Sequence, residues 1–224
     1  MLHLVEANHA FVLPPLYAII DFSYFTSKPD PVSAAATFGE ELIQAGATLI
    51  QLRDKSEPAN PLRFLSCARA LRRITLGKAT LIINDRVDIC IAADADGVHL
   101  GQNDLSPAAA RKIFDQLKDE KRRIIGYSTH NPDQLREADG LPVDYLAIGP
   151  VFATASKANP DPVIGLEGVR AARRITTKPL VAIGGITRMN CAQVKDAGAS
   201  SVAVISDLFE SPGKAVADFL RILG

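Results

Sequence analysis

A chain of 224 residues, 47% of them hydrophobic, carries enough apolar material for one well-buried core. Its 25 Lys and Arg balance 25 Asp and Glu, so no overall field draws it to nucleic acid or an anionic membrane, and any anion site must be local. No apolar run approaches the ~18 residues needed to span a bilayer.

The N-terminal stretch MLHLVEANHAFVLPP lacks the basic start and cleavage site of a signal peptide, which makes the cytoplasm the expected location. Residues 1–14 read as an extension and 15–224 as one domain. Short runs rich in Ile, Val and Leu then follow in order: 16–20, 48–52, 80–83, 97–100, 123–126, 143–148, 179–183 and 201–205. Segments with helical spacing lie between them, at 34–46, 62–74, 106–117, 166–174, 188–197 and 213–222. Cys67, Cys90 and Cys191 fall within such patterns, and their odd number and wide spacing suit reduced, packed thiols rather than a disulfide framework.

Near-continuous apolar strands alternating with helices indicate parallel strands covered on both sides, and eight such units predict a (β/α)₈ TIM barrel in a single domain. A doubly wound open sheet is the competing fold. The barrel is preferred because a closing helix follows the eighth strand and no GxGxxG follows the first.

A barrel of this kind places its active site at the carboxyl ends of the strands, so polar residues just after each apolar run are the candidates. After strand two, the period of two turns Gln51 and Arg53 to one side, where an Arg fork can meet phosphate oxygens and Lys55 can add a point charge. The alternative is a salt bridge from Arg53 to Asp54 or a helix carboxylate. After strands three and four, Asp85 and Asp104 offer two carboxylates with no obvious basic partner between them, a shell suited to Mg²⁺. Asp85 could instead cap a helix at 86–92. After strands seven and eight, Gly184-Gly185 and Ile205-Ser206 suit a phosphate held by backbone N–H groups. Two anion sites thus face each other across the mouth, which points to a transferase joining two phosphorylated molecules with diphosphate leaving.

At GATLIQLRDK, LIINDRVD, ADGVHLGQND, IIGYSTH, AIGPVFATASK, VAIGGI and VAVIS, the sequence closely resembles the thiamine-phosphate synthase family, from about Leu16 to the end. The resemblance implies an Mg²⁺-dependent barrel enzyme that condenses a hydroxymethylpyrimidine diphosphate with a thiazole phosphate. It assigns Gln51, Arg53, Lys55, Asn84, Ser128 and Lys157 to the pyrimidine diphosphate, and Asp85 and Asp104 to the metal. Thr154, Ala155, Ser156, Gly185, Ile205 and Ser206 fall to the thiazole phosphate. Catalysis is expected from Arg53, Lys55, Ser128 and Lys157, which neutralise the leaving group and orient the reactants.

Two positions depart from the family pattern: Ser156 stands where a second Thr is usual, and Ile20-Asp21 replaces a Thr-Asp pair, which leaves the role of that strand end open. His130 adjoins the site without a step assigned to it. The loop 152–163 is expected to close over substrate. The partners expected are the two small molecules, with neither nucleic acid nor membrane, and homo-oligomerisation is left open. A thiazole tautomerase-like isomerase and a non-catalytic phosphate-ligand binder are the alternatives on the same scaffold.

Overall fold

The computed structural model describes residues 11–56, 59–117, 119, 121–154 and 161–224. The apolar runs become strands: β1 (Leu16–Asp21), β2 (Leu49–Arg53), β3 (Thr80–Asn84), β4 (Gly97–Leu100), β5 (Ile124–Thr129), β6 (Tyr145–Ile148), β7 (Leu180–Ile183) and β8 (Ser201–Val204). All pair in parallel with their sequence neighbours, and β8 returns to β1, so the sheet is a closed barrel. This excludes the open doubly wound sheet.

Helices α1 (Pro31–Gln44), α2 (Pro61–Thr75), α3 (Val87–Ala92), α4 (Pro107–Asp115), α5 (Pro132–Asp139), α6 (Gly165–Ile175), α7 (Cys191–Asp196) and α8 (Pro212–Leu223) alternate with the strands. Four of them begin with the same chemistry. Asp30, Asn60, Ser106 and Asn131 each accept a hydrogen bond from a backbone N–H of the first turn, and a proline follows each. The cap satisfies a donor the helix cannot, at about 1 kcal/mol apiece, and the proline presets φ where its missing N–H costs nothing.

Strand alternation sorts side chains into two cores. Leu16, Ala18, Ile20, Ile50, Leu52, Leu81 and Ile83 pack outward beneath the helices, in one continuous cluster with Leu42, Leu71 and Phe219. Tyr17, Ile19, Leu49, Ile82, Ile124, Tyr145, Ala147, Val181 and Ala203 fill the lumen. Leu13 and Phe11 of the N-terminal segment join this inner cluster, with the Phe11 ring 6.2 Å from that of Tyr145.

Cys67, Cys90 and Cys191 are buried free thiols, on α2, α3 and α7. Burial pushes the thiols of Cys67 and Cys90 up to about 12. Among the described residues, no helix is long and apolar enough to cross a membrane.

Candidate active site

Lumen-facing residues near the carboxyl ends of the strands, such as Arg53, Asn84, His99, Ser128, Ile183 and Ala203, together with the loops that follow, build the walls of a cavity of about 540 Å³. Gln51, Arg53, Lys55, Asn84, Asp85, Asp104, Ser128, Thr154, Gly185, Ile205 and Ser206 all line it. Ala155, Ser156 and Lys157 lie outside the described residues, as do residues 158–160 of the loop 152–163.

Gln51 and Arg53 do share a face. The partner of Arg53 is neither Asp54 nor a helix carboxylate, because barrel pairing sets Arg53 level with Asp21 of β1. The Arg53 guanidinium donates to Asp21 Oδ2, while Oδ1 accepts from the Ser23 backbone N–H at 3.1 Å and its hydroxyl at 2.7 Å. The Asp21 side chain is only 3% exposed. The end of strand one therefore holds Arg53 in place at the cavity wall.

Asp85 does not cap α3; that position belongs to Arg86, which makes no side-chain cap bond. Asp85 itself adopts φ 61°, in the left-handed region that Asp tolerates better than most residues, and its N–H donates to the His99 carbonyl at 2.8 Å. This turn ends the apolar run of β3 and delivers a carboxylate to the mouth. The carboxylate pairs with the basic cluster after β2: Lys55 Nζ donates to Asp85 Oδ2 at 2.5 Å, reaching across from the loop that follows that strand.

Asp104 accepts the Gly101 N–H at 2.7 Å. Burial, followed by a hydrogen-bonding and repulsive contact with Asp85, raises its pKa above the ordinary carboxylate value. Two acids have thus been brought into contact where one of them resists ionising, an arrangement that a divalent cation would relieve. Among the described residues no group of three or more His, Cys, Asp or Glu is placed to hold a metal. Two carboxylates alone suit Mg²⁺, which keeps waters and takes its remaining oxygens from substrate phosphates.

The opposite wall is made of backbone. Gly184 and Gly185 have φ of 102° and 62°, and a Cβ on Gly185 would stand 2.5 Å from the Ala153 carbonyl oxygen. Only glycine fits this turn. Asn190 Nδ2 donates to the Gly185 carbonyl at 3.0 Å, and its Oδ1 accepts the Thr187 N–H at 2.8 Å. Beside it, Ile205 and Ser206, the latter opening the one-turn 3₁₀ segment Ser206–Leu208, continue the wall.

The lumen below the cavity contains a polar chain absent from the sequence reading. Gln51 Nε2 donates to the Tyr17 hydroxyl at 2.8 Å, and the Tyr17 and Tyr145 hydroxyls are 2.9 Å apart. The Tyr145 hydroxyl lies 3.0 Å from His99 Nδ1, and His99 Nε2 lies 2.8 Å from Ser128 Oγ. Burial lowers the His99 pKa to about 4, leaving the imidazole neutral near pH 7, and holds both tyrosines protonated. His130 borders the cavity, its Nδ1 2.9 Å from the Gly149 carbonyl and 3.5 Å from Asp161 Oδ2.

The profile of a family described as thiamine monophosphate synthase matches residues 23–208. A thiamine-phosphate synthase of Koribacter versatilis (strain Ellin345) is 53% identical over 212 residues, covering 94% of this chain and 96% of that protein. One from Moorella thermoacetica is 46% identical over 165 residues, covering 73% and 75%. A solved thiamine phosphate pyrophosphorylase from Pyrococcus furiosus superposes with a TM-score of 0.77 at 31% identity, over 93% of this chain and 95% of that one.

Proposed function

Since the chain belongs to the thiamine monophosphate synthase family, we propose that its cavity condenses 4-amino-2-methyl-5-(diphosphooxymethyl)pyrimidine with 4-methyl-5-(2-phosphooxyethyl)thiazole, giving thiamine phosphate and diphosphate. The protein is a transferase of thiamine biosynthesis acting on small molecules. The observation that carries the assignment of roles is the opposition of two unlike walls on one mouth: cationic and acidic side chains at the ends of β2 to β4, and backbone at Gly184-Gly185 after β7 and Ile205-Ser206 after β8.

In this reading Arg53, Lys55 and Lys157 take the diphosphate oxygens, and Gln51, Asn84 and Ser128 orient the pyrimidine. Arg53 arrives with its fork already fixed by Asp21, so little side-chain entropy is lost on binding. Thr154, Ala155, Ser156, Gly185, Ile205 and Ser206 hold the thiazole phosphate. Asp85 and Asp104 would hold Mg²⁺, which when bound neutralises charge on the leaving diphosphate.

The bond from the pyrimidine methylene carbon to oxygen breaks with its electron pair on the diphosphate. The ring amino group donates electrons into the developing cation, and the thiazole nitrogen lone pair forms the new carbon–nitrogen bond. That nitrogen carries no proton, so no side chain is required as a base; the protein's contribution is charge neutralisation and alignment. A tautomerase-like isomerase would have no use for the cation and carboxylate set, and the comparisons give that alternative no support. The three buried thiols suit a reducing compartment, and the reading places the protein in the cytoplasm. Residues 1–14 are read as an extension whose described end, through Phe11 and Leu13, stoppers the lumen.

Purified protein given both precursors and Mg²⁺ is expected to form thiamine phosphate and diphosphate in equal amounts. A folded protein that yields neither product would overturn the reading.

A further inference from the structure

The loops after β7 and β8 leave two adjacent, paired strands, and they supply neighbouring stretches of the same wall. Three hydrogen bonds join them, all between one arginine and one carboxylate. Arg188 donates to Asp207 through its backbone N–H at 2.8 Å, through Nε at 3.1 Å and through Nη2 at 3.1 Å. The side-chain pair is the bidentate fork that matches guanidinium to carboxylate geometry, and the backbone bond adds a third restraint that fixes the main chain as well. A further contact, Arg188 Nη1 to Asp218 Oδ2 at 3.6 Å, ties the pair to α8.

Neither residue lines the cavity. Asp207 directly follows Ser206, and Arg188 lies three residues beyond Gly185 in a turn that Asn190 pins to the Gly185 carbonyl. We infer that Arg188 and Asp207 are positioning residues whose clamp sets the spacing between the Gly185 and Ser206 backbone, and thereby the grip on a phosphate monoester. The inference rests on the proposed function, which places the thiazole phosphate between those two loops.

The physical argument is one of preorganisation. Backbone N–H groups bind an anion well only when they already converge, because each loop ordered at the moment of binding costs free energy that the contact must first repay. Two independent turns, one built on Gly184 and Gly185 and the other on Ile205 and Ser206, would drift relative to one another. An ion pair with three hydrogen bonds, partly buried, removes that freedom before the ligand arrives. It acts on the monophosphate wall alone, since the diphosphate side is held by Arg53, Asp21 and Lys55 on other strands.

The test uses the full chain and the variants Arg188→Ala and Asp207→Asn, with thermal melting to confirm that each is folded. Binding of the thiazole phosphate is measured by calorimetry without divalent cation, and coupling is assayed with Mg²⁺ while each substrate is varied. The expected result is about tenfold weaker binding and a tenfold higher KM for the thiazole phosphate, with kcat and the KM for the pyrimidine diphosphate within twofold of the parent. Should Arg188→Ala not fold, Arg188→Lys keeps the charge and loses the fork, with an expected loss of about threefold. Folded variants whose thiazole phosphate affinity is unchanged, or whose two KM values rise together, overturn the clamp while leaving the synthase reading intact. A parent that binds the thiazole phosphate, loses that affinity in the variants, yet forms no product sinks the synthase reading and leaves the clamp standing.

Discussion

Lys55 Nζ stands 2.5 Å from Asp85 Oδ2, so a cation from the loop after β2 already neutralises an acid delivered by β3. Lys55 is half exposed, and Asp85 lines the same cavity as Asp104. In the proposed function an incoming diphosphate would compete for Lys55 and release Asp85 to share a metal with Asp104. Substrate and metal are therefore expected to assist one another's binding, because each removes the other's competitor.

Removing the acid tests that coupling. Asp85→Ala is expected to lower kcat/KM by about 100-fold or more, the scale of losing a main electrostatic stabiliser, and to abolish the response to added Mg²⁺. Affinity for the thiazole phosphate should stay within about twofold of the parent, because that ligand rests on other strands. Calorimetry beside a Mg²⁺-titrated rate assay checks both; equal loss of both affinities would mean that Asp85 has a structural role instead.

Asp21→Asn separates the support of Arg53 from the contact Arg53 makes with substrate. The Ser23 hydrogen bonds can survive in part, but the buried charge partner is lost, at a cost of about 1–3 kcal/mol. A melting temperature several degrees lower follows, at about 2–4 °C per kcal/mol for a chain of this size. The KM for the pyrimidine diphosphate should rise severalfold and that for the thiazole phosphate should not. Matching shifts in the two would show that the strand-one end serves the barrel as a whole.

His99 makes the fold acid-sensitive over a defined window. Its folded pKa is depressed to about 4 from 6.5, so in that interval the unfolded chain binds a proton that the folded chain does not. Stability from this group is full above about pH 6.5 and is lost as pH falls toward 4, by an amount on the order of 3 kcal/mol. Urea denaturation at pH 7, 5.5 and 4.5 should show His99→Gln with a shallower decline than the parent. Parallel declines would count against a buried neutral imidazole.

Gly185→Ala probes the backbone wall. Its Cβ would meet the Ala153 carbonyl oxygen at 2.5 Å, at a φ of 62°, for a conformational penalty of roughly 1–2 kcal/mol before the clash is counted. The KM for the thiazole phosphate is expected to rise at least tenfold, with the metal response retained. A steady-state comparison of the two substrates decides this.

The barrel was legible because lumen and helix-facing positions are both apolar, so each strand reads as an unbroken hydrophobic run bounded by Gly, Pro or a polar residue. α5 escaped notice for the converse reason: PDQLREAD is mostly polar, and only Leu135 and Ala138 are buried. Strand-end residues such as Gln51, Arg53, Asn84 and Ser128 could be found because the fold sends that end of every strand to one mouth. Their partners could not. Arg53 meets Asp21, and Lys55 meets Asp85, only through the neighbour relations of a closed sheet, which no local pattern encodes. His99, Tyr17 and Tyr145 were hidden inside the runs GVHL, LYAII and VDYLAI, where a polar group facing the lumen looks the same as one facing outward.

The hydroxyls and imidazole beneath the cavity form a one-way circuit. Gln51 Nε2 can only give a hydrogen, and with each hydroxyl donating once within the chain Tyr17 passes its own to Tyr145 and Tyr145 passes its own to His99 Nδ1. A neutral His99 then has its single hydrogen on Nε2, directed at Ser128 Oγ. Ser128 then keeps its own proton, so an amide on the second strand is linked, three strands away, to a serine left free to donate.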